Sequence, residues 1–399
     1  MSSDNIWFDP LYLEDLLDEE EKSIKKTTHD YCNKYLLPIV VNDNRKHHFD
    51  KNIYKDFGSM GFLGPTINGF GSSNSSKVSY GLIAAEFESI DSSYRSAISV
   101  QSSLVIHPIY YFGSEEQKNK FLPKIASGEL RLQAFGVTEP DAGTDTLSIK
   151  TKAEKKNNCY IINGQKVWTS RAEYSDLMLL LARTSNKSSE KRTEGLSLFL
   201  INIQKAKDKG LNIKPIRTMI NHATTEIFFD NLEIPLNSLI GEEGKGFKYI
   251  LDGMNAERIL IAAECVGDSR FFIDRSTAYA KDRKVFGRPI GQNQGVQFPI
   301  SRAYADTEAA ALVVQRAAKL FDSNIPCGAE ANIAKLLAAD ASWKAGESAL
   351  QTFGGYGFAE EYDIERKYRE TRLYQIAPVS TNLILAYIAQ NILGLKRSY

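Results

Sequence analysis

The hydrophobic period of this 399-residue chain changes twice, and those changes limit the folds open to it. Up to about residue 131, apolar residues recur at mixed three- and four-residue steps, as in Leu11–Leu37. That is the spacing of one face of a helix. From 132 to 236 they alternate or run in short blocks, Cys159–Ile162, Gln165–Trp168, Leu177–Ala182, Leu196–Ile203, Leu211–Ile216 and Thr225–Phe229, parted by turn residues. From 237 to 399 helical spacing returns in Gly246–Glu257, Ile259–Asp282, Gln292–Asp322, Ala329–Phe353 and Tyr374–Gly394. The pattern predicts an α+β protein. An N-terminal α-helical domain covers 1–131, a middle antiparallel β domain covers 132–236, and a C-terminal α-helical bundle covers 237–399.

Local signals sharpen this reading. Ser114-Glu-Glu-Gln117 has the form of a capping box, and Gly128 marks the stop of the helix it would open. Gly58–Gly71 reads as a loop, and the small-residue run Ser79–Val105 as a buried pair of helices. Asn163-Gly164 between two strand-like runs predicts a hairpin with a type I′ turn. Ser185–Glu194 is a charged, serine-rich loop. Gly241–Gly246 lacks the spacing of a phosphate loop and reads as a connection between domains. No nicotinamide-type glycine fingerprint is present in the sequence.

Composition excludes several partners. Lys+Arg and Asp+Glu both number 49, so there is no cationic excess for nucleic acid or an anionic membrane. No apolar run approaches the ~20 residues of a membrane span. The acidic start of the chain has neither a signal-peptide nor a transit-peptide pattern. Cys32, Cys159, Cys265 and Cys327 are scattered without a CxxC, which fits free thiols in a reducing, cytoplasmic location. His29, His47, His48, His107 and His222 show no metal-ligand spacing, and no metal is expected.

Phe135–Asp145, FGVTEPDAGTD, is the first stretch with chemical promise. Gly136, Pro140 and Gly143 disfavour a helix, leaving a loop that offers backbone N–H groups with the hydroxyls of Thr138 and Thr144. An ordinary surface turn is the alternative. Trp168-Thr169-Ser170 repeats the union of a flat aromatic and hydroxyls further on.

Five stretches in order, FGVTEPDAGTD (135–145), NGQKVWTS (163–170), DRKVFGRPIGQNQGVQ (282–297), QTFGGYGF (351–358) and RETRLYQI (369–376), resemble acyl-CoA dehydrogenases. The resemblance implies that family's helical–β–helical fold, FAD at the domain junction, an acyl-CoA substrate, a homotetramer, and electron-transfer flavoprotein as acceptor. Carried over by motif, Phe135, Val137, Thr138, Gly143, Thr144, Trp168, Thr169 and Ser170 would hold the flavin. Arg283, Phe286, Gln294, Gln351, Gly354, Gly355, Ser380 and Asn382 would hold the rest of the cofactor, partly across a subunit boundary. Plain packing is the alternative for Phe286 and Gly355. Arg283 is the stronger candidate, because an arginine beside a pyrophosphate makes charge-assisted bonds.

The family's reaction removes an α-proton from an acyl thioester with a carboxylate, while the β-hydrogen leaves as hydride to the flavin. Most members place that carboxylate in a segment like IYQIYEGTSQ. Here LYQIAPVSTN puts Pro378 at the position. Isovaleryl-CoA and long-chain members use a helical segment like LDLERLVLA instead. Met254-Asn-Ala-Glu257-Arg258 and the apolar run after it match that, which implies Glu257 as catalytic base. Asn255, Arg258 and Thr144 then fall to the substrate. Glu257 as a plain first-turn acid is the alternative, and Glu264 is a reserve candidate that reads better as an ion-pair member. Glu86 to Ser102 is similar to the glutaryl-CoA dehydrogenase subgroup, where the positions of Glu88, Arg95 and Ser96 face a distal substrate carboxylate. A structural pair of Arg95 with Glu88 or Asp91 is the alternative. The expected substrate is a short- or medium-chain acyl-CoA, with a glutaryl-like carboxylate as one option. A lyase or desulfinase on the same scaffold is the competing activity.

Overall fold

The computed structural model describes residues 9–185 and 193–397, so most of the Ser185–Glu194 loop lies outside the described residues. The chain forms two compact units, one of residues 1–42, 76–95 and 258–399, the other of residues 43–75 and 96–257.

The second unit is built on an eight-stranded sheet of β1 (Leu132–Gly136), β2 (Lys152–Lys156), β3 (Cys159–Ser170), β4 (Leu177–Arg183), β5 (Leu196–Asn202), β6 (Leu211–Pro215), β7 (Thr224–Pro235) and β8 (Leu239–Ile240). Their order is β6-β7-β3-β2-β4-β5-β8, with β1 paired to β4. Every residue of β4 is buried. Successive side chains leave a strand on opposite faces, and here both faces are covered. Leu177, Leu179 and Leu181 join one apolar cluster with Leu196, Leu198 and Leu200 of β5. Met178, Leu180 and Ala182 join a second with Phe199 and Ile201. Hence β4 reads as an unbroken apolar run. Ile106–Phe112, Glu115–Ala126 and Gly246–Asp252 are helices of the same unit. Ser114 caps the second as expected: its hydroxyl accepts from Gln117 N at 3.2 Å, and Gln117 Oε1 accepts from Ser114 N at 2.9 Å.

Two expectations fail here. Asn163-Gly164 is not a turn: β3 runs straight through it. The turn is Asn157-Asn158, with Asn157 at φ 44°, between β2 and β3. The β3–β7 register shifts at Ile162/Gly164, so the pair marks a bulge. Gly164 stands at φ 146°, where a Cβ would sit 2.6 Å from Thr151 Oγ1. Close approach of Thr151 selects the glycine there. The sheet is also not purely antiparallel, because β1 and β2 each pair β4 in parallel. Alternation alone carries no strand direction.

The first unit is helical, with Glu19–Tyr31, Lys77–Ile90, the helix Met254–Asp282 from residue 258 onward, Gln294–Asp322, Gly328–Phe353, Ile364–Thr371 and Thr381–Tyr387. Its core is rich in small residues, with Ala262, Ala263, Ala310, Ala331, Ala334 and Ala338 among Val78, Ile259, Val266 and Val314. The break between the two helices around Glu257 falls at Gly253, not at Arg258 as the periodicity suggested. Glu257 therefore sits in the first turn of a 29-residue helix, its N–H donating to Gly253 O at 3.1 Å. Among the described residues no helix is long and apolar enough to cross a membrane.

Candidate active site

The loop after β1 is tied to β3 by a charge pair buried inside the protein. Glu139 is 6% exposed and Lys166 fully buried. Lys166 Nζ donates to Glu139 Oε1 at 2.8 Å and to Val137 O at 2.9 Å. Glu139 also accepts from the backbone N–H of Lys150 at 2.6 Å and of Thr151 at 2.9 Å. Burial alone would push the Glu139 carboxyl up, but Lys166 and those N–H groups outweigh it and hold it below the usual range. Burial lowers the Lys166 ammonium to about 8 against the opposing pull of Glu139. Val167 N–H donates to Thr138 O at 2.9 Å, so the two expected flavin loops are joined directly. Sequence reasoning missed both Glu139 and Lys166. A lysine inside an apolar strand was the available signal.

Phe135 and Val137 are partly buried against the Leu177–Leu181 cluster, whereas Gly143 and Thr144 are exposed. Trp168 is 60% exposed and stands at φ 61°. A bulky residue in the left-handed region is strained and is held there by its surroundings. Next to it, Thr169 is 1% exposed, and its Oγ1 has no hydrogen-bond partner among the described residues. A buried hydroxyl left unmatched beside an exposed, strained indole suits a flat, acceptor-bearing ring system. Ser170 follows, half-buried.

Glu257 is 3% exposed. The Ser103 hydroxyl donates to its Oε2. Met254, three residues before Glu257, packs on the same apolar cluster as Phe135 and Val137, and so do Val100 and Leu104 beside Ser103. The first expected flavin loop and the residue one turn before Glu257 thus pack on one cluster. Asn255 is half-buried in the same turn.

Within the helical unit, Arg95 and Glu88 pair with each other, the structural alternative to the role the resemblance implied. Arg95 is 3% exposed, its Nε 2.7 Å from Glu88 Oε2 and 3.1 Å from Glu264 Oε2, and its Nη2 donates to Tyr374 Oη at 3.2 Å. Burial opposes the Arg95 charge, yet Glu264, Tyr374 and Glu88 together hold its pKa well above the ordinary value. Glu88 also pairs with Lys367 Nζ at 3.0 Å, which in turn meets Asp268 at 2.8 Å and Glu370 at 3.2 Å. A buried arginine must be compensated, and three residues of the protein do so here. Glu264 is thereby an ion-pair member. Ser96, which belongs to the sheet unit, is 2% exposed. Arg258 is half-buried, and burial lowers its pKa.

The remaining cofactor candidates lie on the surface of the helical unit. Arg283 is exposed, with its guanidinium 5.5 Å from the centre of the Tyr356 ring. Lys284–Val285 and Arg288–Pro289 form a small hairpin whose tip is Phe286-Gly287, both at positive φ. Phe286 there is 100% exposed. Gln294, at the start of Gln294–Asp322, and Gln351 are exposed. Gly354 lies at φ 58°, ψ −131°, which only glycine adopts without strain, and among the described residues nothing lies within 4 Å of a Cβ built there or on Gly355. Ser380 caps Thr381–Tyr387 through Leu383 N at 3.4 Å, and Asn382 is exposed.

Comparison with known proteins gives these features a common setting. The acyl-CoA dehydrogenase N-terminal, middle and C-terminal domain models match residues 18–129, 134–232 and 244–393. An acyl-CoA dehydrogenase of Bacillus subtilis is 34% identical over 380 residues, 94% of this chain and 98% of the relative. A glutaryl-CoA dehydrogenase of Mycobacterium smegmatis, solved in complex with FADH2, superposes with a TM-score of 0.91 at 27% identity, covering 98% of this chain and 99% of that one. A chain from the structural study of the electron transferring flavoprotein of Acidaminococcus fermentans does so with a TM-score of 0.89 at 32% identity, covering 94% and 98%. With three successive domain models matched and a relative aligned along nearly its whole length, this chain belongs to the acyl-CoA dehydrogenase family.

Proposed function

We propose that this FAD-dependent acyl-CoA dehydrogenase uses Glu257 as its base, on a short- or medium-chain acyl thioester. The observation that carries this is the packing of Met254, one turn before Glu257, on the apolar cluster that also supports the Phe135–Val137 loop. A carboxylate in a dry setting is a stronger base than one in water.

Bound FAD supplies the hydride acceptor. Trp168 and the buried Thr169 hydroxyl fit its ring system, and the backbone of the Phe135–Thr144 loop fits the ring's acceptor edge. Arg283, Gln294, Gln351, Gly354, Gly355, Ser380 and Asn382 fall to the remainder of the cofactor. A fully exposed phenylalanine in a strained turn is costly unless something covers it, so Phe286 supports a homotetramer. Electron-transfer flavoprotein as acceptor is supported by the likeness to a chain from the Acidaminococcus fermentans study. The four cysteines are free, which fits a reducing, cytoplasmic setting.

Because Glu88 and Glu264 already neutralise Arg95, an uncharged acyl tail is favoured over a glutaryl-like one. The lyase or desulfinase reading, which relied on Arg95 binding an acidic acyl group, loses support on the same ground. Glu257→Gln is the test. Retained FAD with turnover down about 10²–10⁴-fold supports the assignment, and near-parental turnover rejects it. Product analysis without an electron acceptor separates the lyase alternative.

A further inference from the structure

Ser103 lies in the π-helical turn Val100–Val105. Such turns recur at functional sites. The Ser103 hydroxyl has two acceptors within reach, Glu257 Oε2 and, at 2.8 Å, the carbonyl oxygen of Ser99. A hydroxyl holds one proton and two lone pairs, so it cannot donate to both at once. Which acceptor it serves depends on the state of Glu257. When Glu257 is ionised, the hydroxyl donates to the carboxylate. Once Glu257 carries a proton, the carboxylic acid donates to Ser103 Oγ, and the Ser103 proton turns to Ser99 O.

We infer that Ser103 is a positioning residue for proton abstraction, a hydroxyl that re-aims its one proton so that it stays hydrogen-bonded to Glu257 both before and after Glu257 takes the substrate's proton. The inference rests on the reading of Glu257 as base. No covalent bond changes at Ser103. The α C–H bond breaks, its proton goes to Glu257, and the hydroxyl hydrogen rotates between two acceptors. A hydroxyl can serve the carboxylate as donor and the acid as acceptor, which neither a backbone N–H nor a backbone C=O can do. His107 and Asp252, 2.9 Å apart, are the charged pair closest in sequence, His107 four residues after Ser103 and Asp252 five before Glu257. Glu257 is joined directly to Arg258 in sequence.

The experiment compares the holoenzyme with Ser103→Ala, Ser103→Thr and Glu257→Gln, reading FAD content and the pH profile of kcat/KM. The acid limb of that profile reports the ionisation of the free enzyme's base. Loss of a donor to the carboxylate moves the limb to higher pH. For Ser103→Ala the expected shift is about one pH unit, or about tenfold in kcat/KM on the acid side, with FAD content unchanged. Ser103→Thr keeps the hydroxyl and should give the parental profile. If the alanine variant does not hold FAD, Ser103→Cys carries the same comparison, because a thiol is a weak donor. An unmoved limb in Ser103→Ala, with Glu257→Gln inactive, overturns the role of Ser103 and leaves Glu257 standing. Full turnover in Glu257→Gln removes the base assignment and this inference with it.

Discussion

Replacing Lys166 by methionine tests whether the buried pair with Glu139 holds the flavin loop in place. The side chain keeps its length and loses its charge. Lys166 Nζ makes two hydrogen bonds, to Glu139 Oε1 at 2.8 Å and Val137 O at 2.9 Å, and both vanish. Glu139, 6% exposed, is left with the two backbone N–H groups of Lys150 and Thr151. Removing one partner of a buried pair costs about 3–5 kcal/mol, and the two surviving bonds argue for the lower end. The loss falls on the Val137–Glu139 segment that carries Thr138. If it is expressed in that loop, FAD binding weakens by about 3 kcal/mol, roughly 100-fold in Kd. Titration of the apoprotein with FAD, followed by flavin fluorescence, measures this, and urea unfolding measures any share borne by the whole unit. Glu139→Gln with Lys166→Met should cost less than the sum of the single changes, because the second substitution removes the stranded charge. A Lys166→Met protein with parental FAD affinity and stability within about 1 kcal/mol of the parent would refute the reasoning.

Thr169→Val replaces a buried hydroxyl that has no partner among the described residues by a methyl of the same shape. Apoprotein stability should hold or rise by up to about 1 kcal/mol, while FAD affinity falls several-fold; unchanged affinity would remove Thr169 from the flavin site. Burial first, and then the charge of Glu370, raise Asp91 from 3.8 to about 7 against the pull of Arg366. A carboxyl raised on folding is bound to its proton more tightly in the folded chain. It therefore favours folding most below about pH 4, and that contribution is lost as pH rises to about 7. Asp91→Asn should gain on the parent between pH 5 and pH 8 in urea unfolding, and a constant difference across that range would sink the account.

The sequence by itself determined what repeats locally. A period near 3.6 or of two is written in consecutive residues, so the helical, β and helical regions were legible, as were the Ser114–Gln117 cap and the buried run of β4. Flavin-loop motifs and the match around Glu257 were likewise contiguous. The fold decided whatever depended on distant partners. It set the direction of β1 and β2 and made Asn163-Gly164 a bulge, because pairing with β7 outweighs a local turn preference. It matched Lys166 with Glu139, 27 residues away, and gave Glu257 a serine 154 residues earlier. It also assigned Arg95, which the motif alone pointed toward a substrate, to carboxylates of the same unit. A buried charge binds whichever opposite charge the folded chain brings nearest, and that distance is a property of the tertiary structure.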